Sequence, residues 1–437
     1  MRSRKLAAAL TGAALFAAVP AVAQEQFVPL LVYRSGAYAP NGIPFANGVA
    51  DYMALINERD GGVNGVKLAY EECDTAYQTD RGVECYERLK GKGAPTASSF
   101  APLSTGITFA LTEKAPGDKI PLLTMGYGRS ESADGRVFQW NFPLLGTYWS
   151  AADIIIQHLG AVNGGLDKLK DKKIALVYHD SPYGREPIPL LERRAQMHGY
   201  QLSKLPVTAP GIEQKAVWLQ VRQQRPDYVL LWGWGIMNST AIKEAVAVGY
   251  PREKMFGVWW SGAEPDVLPA GVGAKGYNAL AMNPAGKGFK VHQDIAQHVY
   301  AKNKGAGPES MVGEVLYNRG VIDGMLRVEA IRTAMARFGN KPMAGEQVRW
   351  GFENLNLDAA RLRALGFEGL MTPIKVSCED HEGSRKARIH QWDGTKWVFK
   401  SDWIEADNKL LRPMVDAAAA KYAEEKKITP SKCGASS

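Results

Sequence analysis

The sequence predicts an α/β protein built as two doubly wound lobes. Three observations carry that prediction. Apolar runs of strand length alternate with helix-periodic segments twice over along the chain. The 437 residues suffice for two large lobes, and 46% apolar against 22% charged residues is the balance of a folded globular protein. The last region changes character, to short antiparallel strands around an Asp393-Gly394 turn. A mean hydropathy of −0.23 argues against a multi-span membrane protein.

The first 23 residues read as an export signal. Arg2, Arg4 and Lys5 give a positive start, 6–19 is apolar but for Thr11 and Gly12, and Pro20 breaks the run. Ala21-Val22-Ala23 then offers a small-x-small cleavage site. The apolar run falls short of the roughly 20 residues a membrane span needs. The chain is therefore expected to be exported.

The first strand–helix series begins with the apolar run 27–33, a strand. Pro40 and Pro44 bound an expected turn, and 45–56 carries apolar residues at Phe45, Val49, Tyr52, Met53 and Ile56, a helical spacing. Gly61-Gly62 with Asn64-Gly65 marks a turn, 66–72 a strand and 80–89 a helix. A helix is expected over 102–114, opened by Pro102, and a strand over 120–124.

The second series starts with a helix over 148–159 and the strand 173–178, whose Lys-Ile-Ala-Leu-Val-Tyr run suits a strand buried on both faces. Helices are expected over 187–199, 212–223 and 239–248, and strands over 228–232, 255–260 and 277–282. Long helices return over 291–302 and 312–338. Short strands follow at 374–376, 387–392 and 396–399, and Tyr422 sits in a charged C-terminal helix.

Motifs of catalysis are missing. HExxH, GxSxG and GxxxxGK[ST] do not occur. Gly271, Gly273 and Gly276 spell GxGxxG, but the segment precedes a strand, where a dinucleotide site needs strand then helix. His381 and His390 near Cys378 match no metal-ligand spacing. Neither a cofactor, a metal nor a reaction is expected. The cations are scattered under a net charge of +8, part of which leaves with the signal, so no nucleic-acid partner is expected. Four cysteines in an exported chain allow three pairings; proximity favours Cys73–Cys85, leaving Cys378–Cys433, against the alternative of buried thiols.

The distinctive signal is aromatic. Trp232, Trp234, Trp259 and Trp260 fall at the C-terminal ends of two expected parallel strands, where open α/β sheets bind ligands. Tyr127 and Tyr183 follow two other such strands. Core packing is the alternative for any single ring. Together they read as a cleft able to stack on a flat apolar ligand.

Several segments in order resemble the type I periplasmic solute-binding proteins of ABC importers, in the branched-chain amino acid and amide-binding group. They are Gly36-Ala-Tyr-Ala-Pro-Asn-Gly42 with a helix reaching Ile56-Asn57, Gly61-Gly62-Val-Asn-Gly65, and Cys73-Asp74-Thr75. Pro121-Leu-Leu-Thr124, His179-Asp180-Ser181-Pro182-Tyr183-Gly184 and Leu231-Trp232-Gly233-Trp234 complete the set. The resemblance implies two lobes joined by three hinge strands, with a cleft between them for a small-molecule ligand, a membrane permease as partner, the periplasm as destination, and a monomer.

It also implies site positions, in which this chain departs from amino-acid binders. The serine that holds the ligand carboxylate falls at Pro102 or just before Ser104, with Thr105 beside it. The next pair falls near Gly126 and Gly128. Tyr183 is kept, Trp234 supplies another aromatic, and Tyr38 joins from the first loop. The acidic residue that pairs with an ammonium falls near Trp259 or Trp260. Losing an acid and gaining tryptophan points to an apolar or aromatic carboxylate, because a buried ammonium without an anion is costly. The carboxylate is expected on backbone N–H groups near Pro102, with the Ser104 and Thr105 hydroxyls. The rival readings are a carrier of a branched-chain amino acid, a ligand-sensing partner of a membrane receptor, and an exported α/β enzyme. The expected lobes are 24–143 plus 283–366, and 144–282 plus 367–403, with 404–437 as a C-terminal helix and tail.

Overall fold

The computed structural model describes residues 25–433, and the expected export signal lies outside the described residues. The first lobe opens with β1 (Glu25–Val32), α1 (Ala39–Asp60) and β2 (Lys67–Asp74). β1 and β2 pair in parallel from Glu25 opposite Lys67 to Val32 opposite Asp74. α2 (Thr79–Leu89), α3 (Thr105–Thr112), β3 (Leu122–Leu123) and β4 (Asn141–Phe142) follow, and β3 and β4 are also parallel. Residues 97–101 bridge the two pairs: the Ser98 N–H donates to Phe27 O at 3.1 Å and the Leu123 N–H to Phe100 O at 2.7 Å.

The second lobe runs through α4 (Tyr148–Val162), β5 (Lys173–His179), α5 (Ile188–His198), β6 (Gln201–Val207), α6 (Lys215–Gln224), β7 (Tyr228–Trp232), α7 (Ile236–Ala247), β8 (Met255–Gly257) and β9 (Asn278–Ala281). The chain returns as α8 (Lys290–His298), α9 (Val315–Phe338), α10 (Gly345–Glu353), β10 (Asn356–Leu357), α11 (Ala359–Leu365) and β11 (Ile374–Lys375). β12 (Lys386–Trp392), β13 (Trp397–Phe399), β14 (Ile404–Glu405) and α12 (Asn408–Lys426) end it. One eight-stranded sheet has the order β13-β12-β9-β8-β7-β5-β6, with β14 also on β12. β9, β8, β7, β5 and β6 are parallel, and β12 adds antiparallel to β9. The late strands therefore complete the sheet of the earlier series, as a two-lobed chain with several crossings requires.

Helix α9 is buried along most of its length and packs on α1. The two backbones touch: a Cβ on Gly320 would lie 2.0 Å from Phe45 O, and one on Gly48 would lie 2.1 Å from Tyr317 O. Gly320→Ala should therefore cost about 1–3 kcal/mol from overpacking, despite alanine's better helix propensity. Urea unfolding that shows no loss would contradict this contact.

Some sequence expectations need correction. There is no turn over 40–44: α1 begins at Ala39, with Pro40 in its first turn, where a missing N–H is harmless, and Pro44 inside it. The helix expected from Pro102 starts at Thr105, because Leu103 has φ +52° and Ser104 is the N-cap, its Oγ accepting from the Ile107 N–H. The strand expected to reach Trp260 stops at Gly257, and that over 120–124 shrinks to Leu122–Leu123. β6, α10 and α11 add elements the sequence did not announce. Cys73–Cys85 and Cys378–Cys433 are both bonded. His381 stacks on Phe142 at 4.1 Å and its Nδ1 meets Asn141 O at 2.7 Å. The GxGxxG glycines lie in a surface turn whose Val272 is 96% exposed.

Helix α12 crosses both lobes. At its start Asp407 caps the helix and meets Arg194 and Asp153 of the second lobe. Further on, Tyr422 stacks on Phe138 at 4.7 Å with Arg129 over its ring, and Lys426 pairs with Glu113. The Cys378–Cys433 bond then anchors the tail.

Candidate functional site

The loops that leave β1, β2 and β3 face those that leave β5, β7 and β8. From the first lobe come Tyr33 and Tyr38 after β1, Tyr77 after β2, Ser104 and Thr105 at the start of α3, and Gly126, Tyr127 and Gly128 after β3. From the second come Tyr148 at the start of α4, Tyr183 after β5, Trp232 and Trp234 at and beyond the end of β7, and Trp259 and Trp260 after β8.

Their rings pack on one another. Tyr127 stacks on Trp260 at 4.4 Å, and Trp234 meets Trp260 edge-on at 5.4 Å and Tyr33 at 5.9 Å. Tyr77 bridges Tyr33 at 5.2 Å and Tyr38 at 4.7 Å. Tyr148 lies 5.2 Å from Tyr183 and 6.0 Å from Trp259. Edge-on and offset arrangements of this kind match the quadrupoles of aromatic rings.

Hydrogen bonds bridge the lobes through the same set. The indole N–H groups of Trp259 and Trp260 both donate to Gly126 O, at 2.9 and 2.6 Å. The Tyr38 hydroxyl meets His179 Nε2 at 2.9 Å. Asp266, fully buried, accepts from Asn41 Nδ2 of α1 at 3.1 Å, from Asn238 Nδ2 of α7 at 2.9 Å and from the Ala263 N–H at 2.8 Å. Burial pushes the Asp266 carboxyl up to about 6, against the pull of those donors. Burial also holds His179 down at about 4. The Tyr183 hydroxyl donates to Gly233 O at 2.8 Å.

The hydroxyls expected to hold a carboxylate each accept one backbone N–H. Ser104 Oγ caps α3, and Thr105 Oγ1 accepts from the Gly128 N–H at 3.3 Å. Pro102 is buried two residues before the cap. Several other polar atoms in the cleft have no hydrogen-bond partner: the Tyr33, Tyr127 and Tyr148 hydroxyls, Trp234 Nε1 and Arg319 Nη2. Sequence reasoning missed Tyr33, Tyr77, Tyr148 and Arg319. Tyr33 and Tyr77 obey the strand-end rule that found Tyr127; Arg319 is hidden inside a long helix with no polar face to mark it.

The sequence profile of periplasmic binding proteins matches residues 25–396. A protein of the Pseudomonas fluorescens group, described as an ABC transporter permease, is 45% identical with a TM-score of 0.88, over 94% of this chain and 100% of that one. A branched-chain amino acid ABC transporter protein from Thermus thermophilus, with bound valine, is 22% identical with a TM-score of 0.74, over 90% and 99% of the two chains. A solute-binding protein of an ABC transporter from R. palustris, in complex with benzoate, is 15% identical with a TM-score of 0.68, over 87% and 98%. No curated protein sequence matches the chain. The last two structures share the fold, and the profile spans nearly every element from β1 to the β12–β13 hairpin, with the aromatic cleft between its two doubly wound lobes: the chain belongs to the periplasmic binding protein family.

Proposed function

We propose that the chain is the extracytoplasmic substrate-binding component of an ABC importer, which captures a small apolar or aromatic carboxylate and delivers it to a membrane permease. The lobes in this reading are 24–143 plus 283–366 and 144–282 plus 367–403, acting as a monomer. Ligand binds the open cleft, the hinge closes over it, and the closed form docks on the permease. No reaction and no cofactor is needed.

The observation that carries the reading is the Trp259–Trp260 pair, held by Gly126 O between the lobes and stacked with Tyr127 and Tyr148. Apolar walls on both sides favour a ring or alkyl chain over a free ammonium. The benzoate complex of the R. palustris protein supports a ring acid. A second reading, a branched-chain amino acid, is favoured by Asp266, a buried carboxylate in the cleft wall, and by the valine bound to the Thermus protein. Against it, Asp266 already accepts three N–H bonds.

A thermal-shift and calorimetry series with benzoate, cinnamate, hexanoate, leucine and valine separates the two. A ligand at 100-fold its Kd adds about 2.7 kcal/mol of stability. The acids should raise the melting temperature and the amino acids should not. Tight binding of leucine or valine, with no response to the three acids, would overturn the reading.

A further inference from the structure

Three arginines are at most 2% exposed: Arg194, Arg319 and Arg327. Two of them carry their own counter-charge. Arg194 pairs with Asp153 at 2.5 Å. Arg327 faces Asp323 at 3.9 Å, and its guanidinium also donates to Pro29 O, Ser99 O and Ser99 Oγ. Arg319 differs. Its Nε donates to Asn283 Oδ1 at 3.0 Å and its Nη1 to Trp259 O at 2.6 Å, but Nη2 has no partner. Among the described residues it forms no ion pair; Asp266 and Glu264 act on it only through space.

A buried cation without an anion is among the most costly arrangements a fold can hold. Its position explains why it persists. The guanidinium lies over the Trp260 ring, 4.6 Å from its centre. Tyr127 stacks on that same ring and Tyr33 packs on Trp234, and the hydroxyls of both are without partners. Trp234, whose Nε1 is also unpartnered, packs on Tyr33 and Trp260. Unused donors from β1, the β3 loop, the β7 loop and α9 therefore gather around one face of the aromatic cleft.

We propose that Arg319 is the anion-binding residue of the cleft, its Nη2 pairing with a ligand carboxylate that the Tyr33 and Tyr127 hydroxyls flank, so that the acid group lies here and not at the start of α3. This rests on the proposed capture of a carboxylate and assigns the acid group its partner. One cation with neutral hydroxyls beside it suits a monoanion; a phosphate dianion would leave a charge unpaired. The planar guanidinium over Trp260 continues the stacking surface, so the apolar part of the ligand lies toward Trp234 and Tyr127.

The test compares benzoate, cinnamate and hexanoate with benzamide, cinnamamide and hexanamide by calorimetry on the wild type, Arg319→Gln, Arg319→Met, Tyr33→Phe and Tyr127→Phe. The wild type should prefer each acid it binds at least tenfold over its amide. Arg319→Gln should remove that preference, chiefly by weakening the acid. Each Tyr→Phe change, which deletes one hydroxyl and keeps the ring, should weaken the acid more than the amide. A preference kept within threefold of wild type in Arg319→Gln overturns the assignment while leaving carboxylate capture standing. A wild type that binds none of the acids defeats the functional reading, and this assignment with it. Stability gives an independent readout: ligand-free Arg319→Met should melt no lower than wild type, whereas Arg327→Met should melt lower. A large loss in Arg319→Met and none in Arg327→Met would show that Arg319 is a structural cation, and would overturn the proposal.

Discussion

Asp153→Ala should cost the protein about 3–5 kcal/mol of stability, the price of leaving a buried charge without its partner. Asp153 on α4 is fully buried, and Arg194 on α5 is 2% exposed. The Arg194 Nε donates to Asp153 Oδ1 at 2.7 Å. The other oxygen accepts from the Asp407 N–H and from Gln157 Nε2, both at 2.7 Å. One carboxylate thus holds α4, α5 and the start of α12 together. Alanine would leave Arg194 with Asp407 at 3.5 Å and a histidine neighbour, His198. Guanidinium unfolding measures the loss. The double variant Asp153→Ala with Arg194→Met should recover much of it, since the stranded charge is gone. A loss below about 1 kcal/mol in the single variant would place this pair among exposed ones, whose contribution is small.

Trp260→Ala should weaken a ring-bearing carboxylate at least tenfold and cost about 3–5 kcal/mol in stability, the usual range for emptying a large buried aromatic site. The ring stacks on Tyr127, meets Trp234 and Phe45, and lies under Arg319. A stacked partner contributes about 0.5–1.5 kcal/mol beyond its buried area. Adding even a modest buried area exceeds the 1.4 kcal/mol that a tenfold change in Kd represents. Trp260→Phe separates the effects: it keeps one stacking ring and loses the pyrrole half of the indole, with its N–H to Gly126 O, which Trp259 still reaches. That variant should stay folded and bind within a few-fold of wild type. Calorimetry on folded Trp260→Ala showing unchanged affinity for benzoate or cinnamate would remove this ring from the site.

The second lobe was the more legible half, for a physical reason. β5 and β7 are central strands covered on both faces, so they read as unbroken apolar runs. β6 lies at the sheet edge, with mixed exposure and Pro206 within it, and left no such run. The start of α1 was hidden by two prolines that normally mark turns, one tolerated in the first turn and one carried by packing. β3 and β4 are two residues each, too short for any periodicity. In the cleft, the strand-end rule reaches Tyr127, Tyr183, Trp234, Trp259 and Trp260, whose rings lie in one chain of aromatic contacts through Tyr148 and Trp232 on one side and Tyr33 and Tyr77 on the other, joined by Tyr38 and His179. It could not reach Tyr148, which opens a helix, or Arg319, whose helix is buried so widely that periodicity distinguishes no face.

The α12 crossing and its anchored tail bear on affinity as well as on shape. In the proposed mechanism of capture, closing two lobes on a ligand must remove the freedom they have to move against each other. A helix that grips Asp153 and Arg194 at one end and Phe138 and Arg129 at the other, closed off by Cys378–Cys433, narrows that freedom before any ligand arrives. In the capture proposed above, less configurational entropy would then be left to lose on closure.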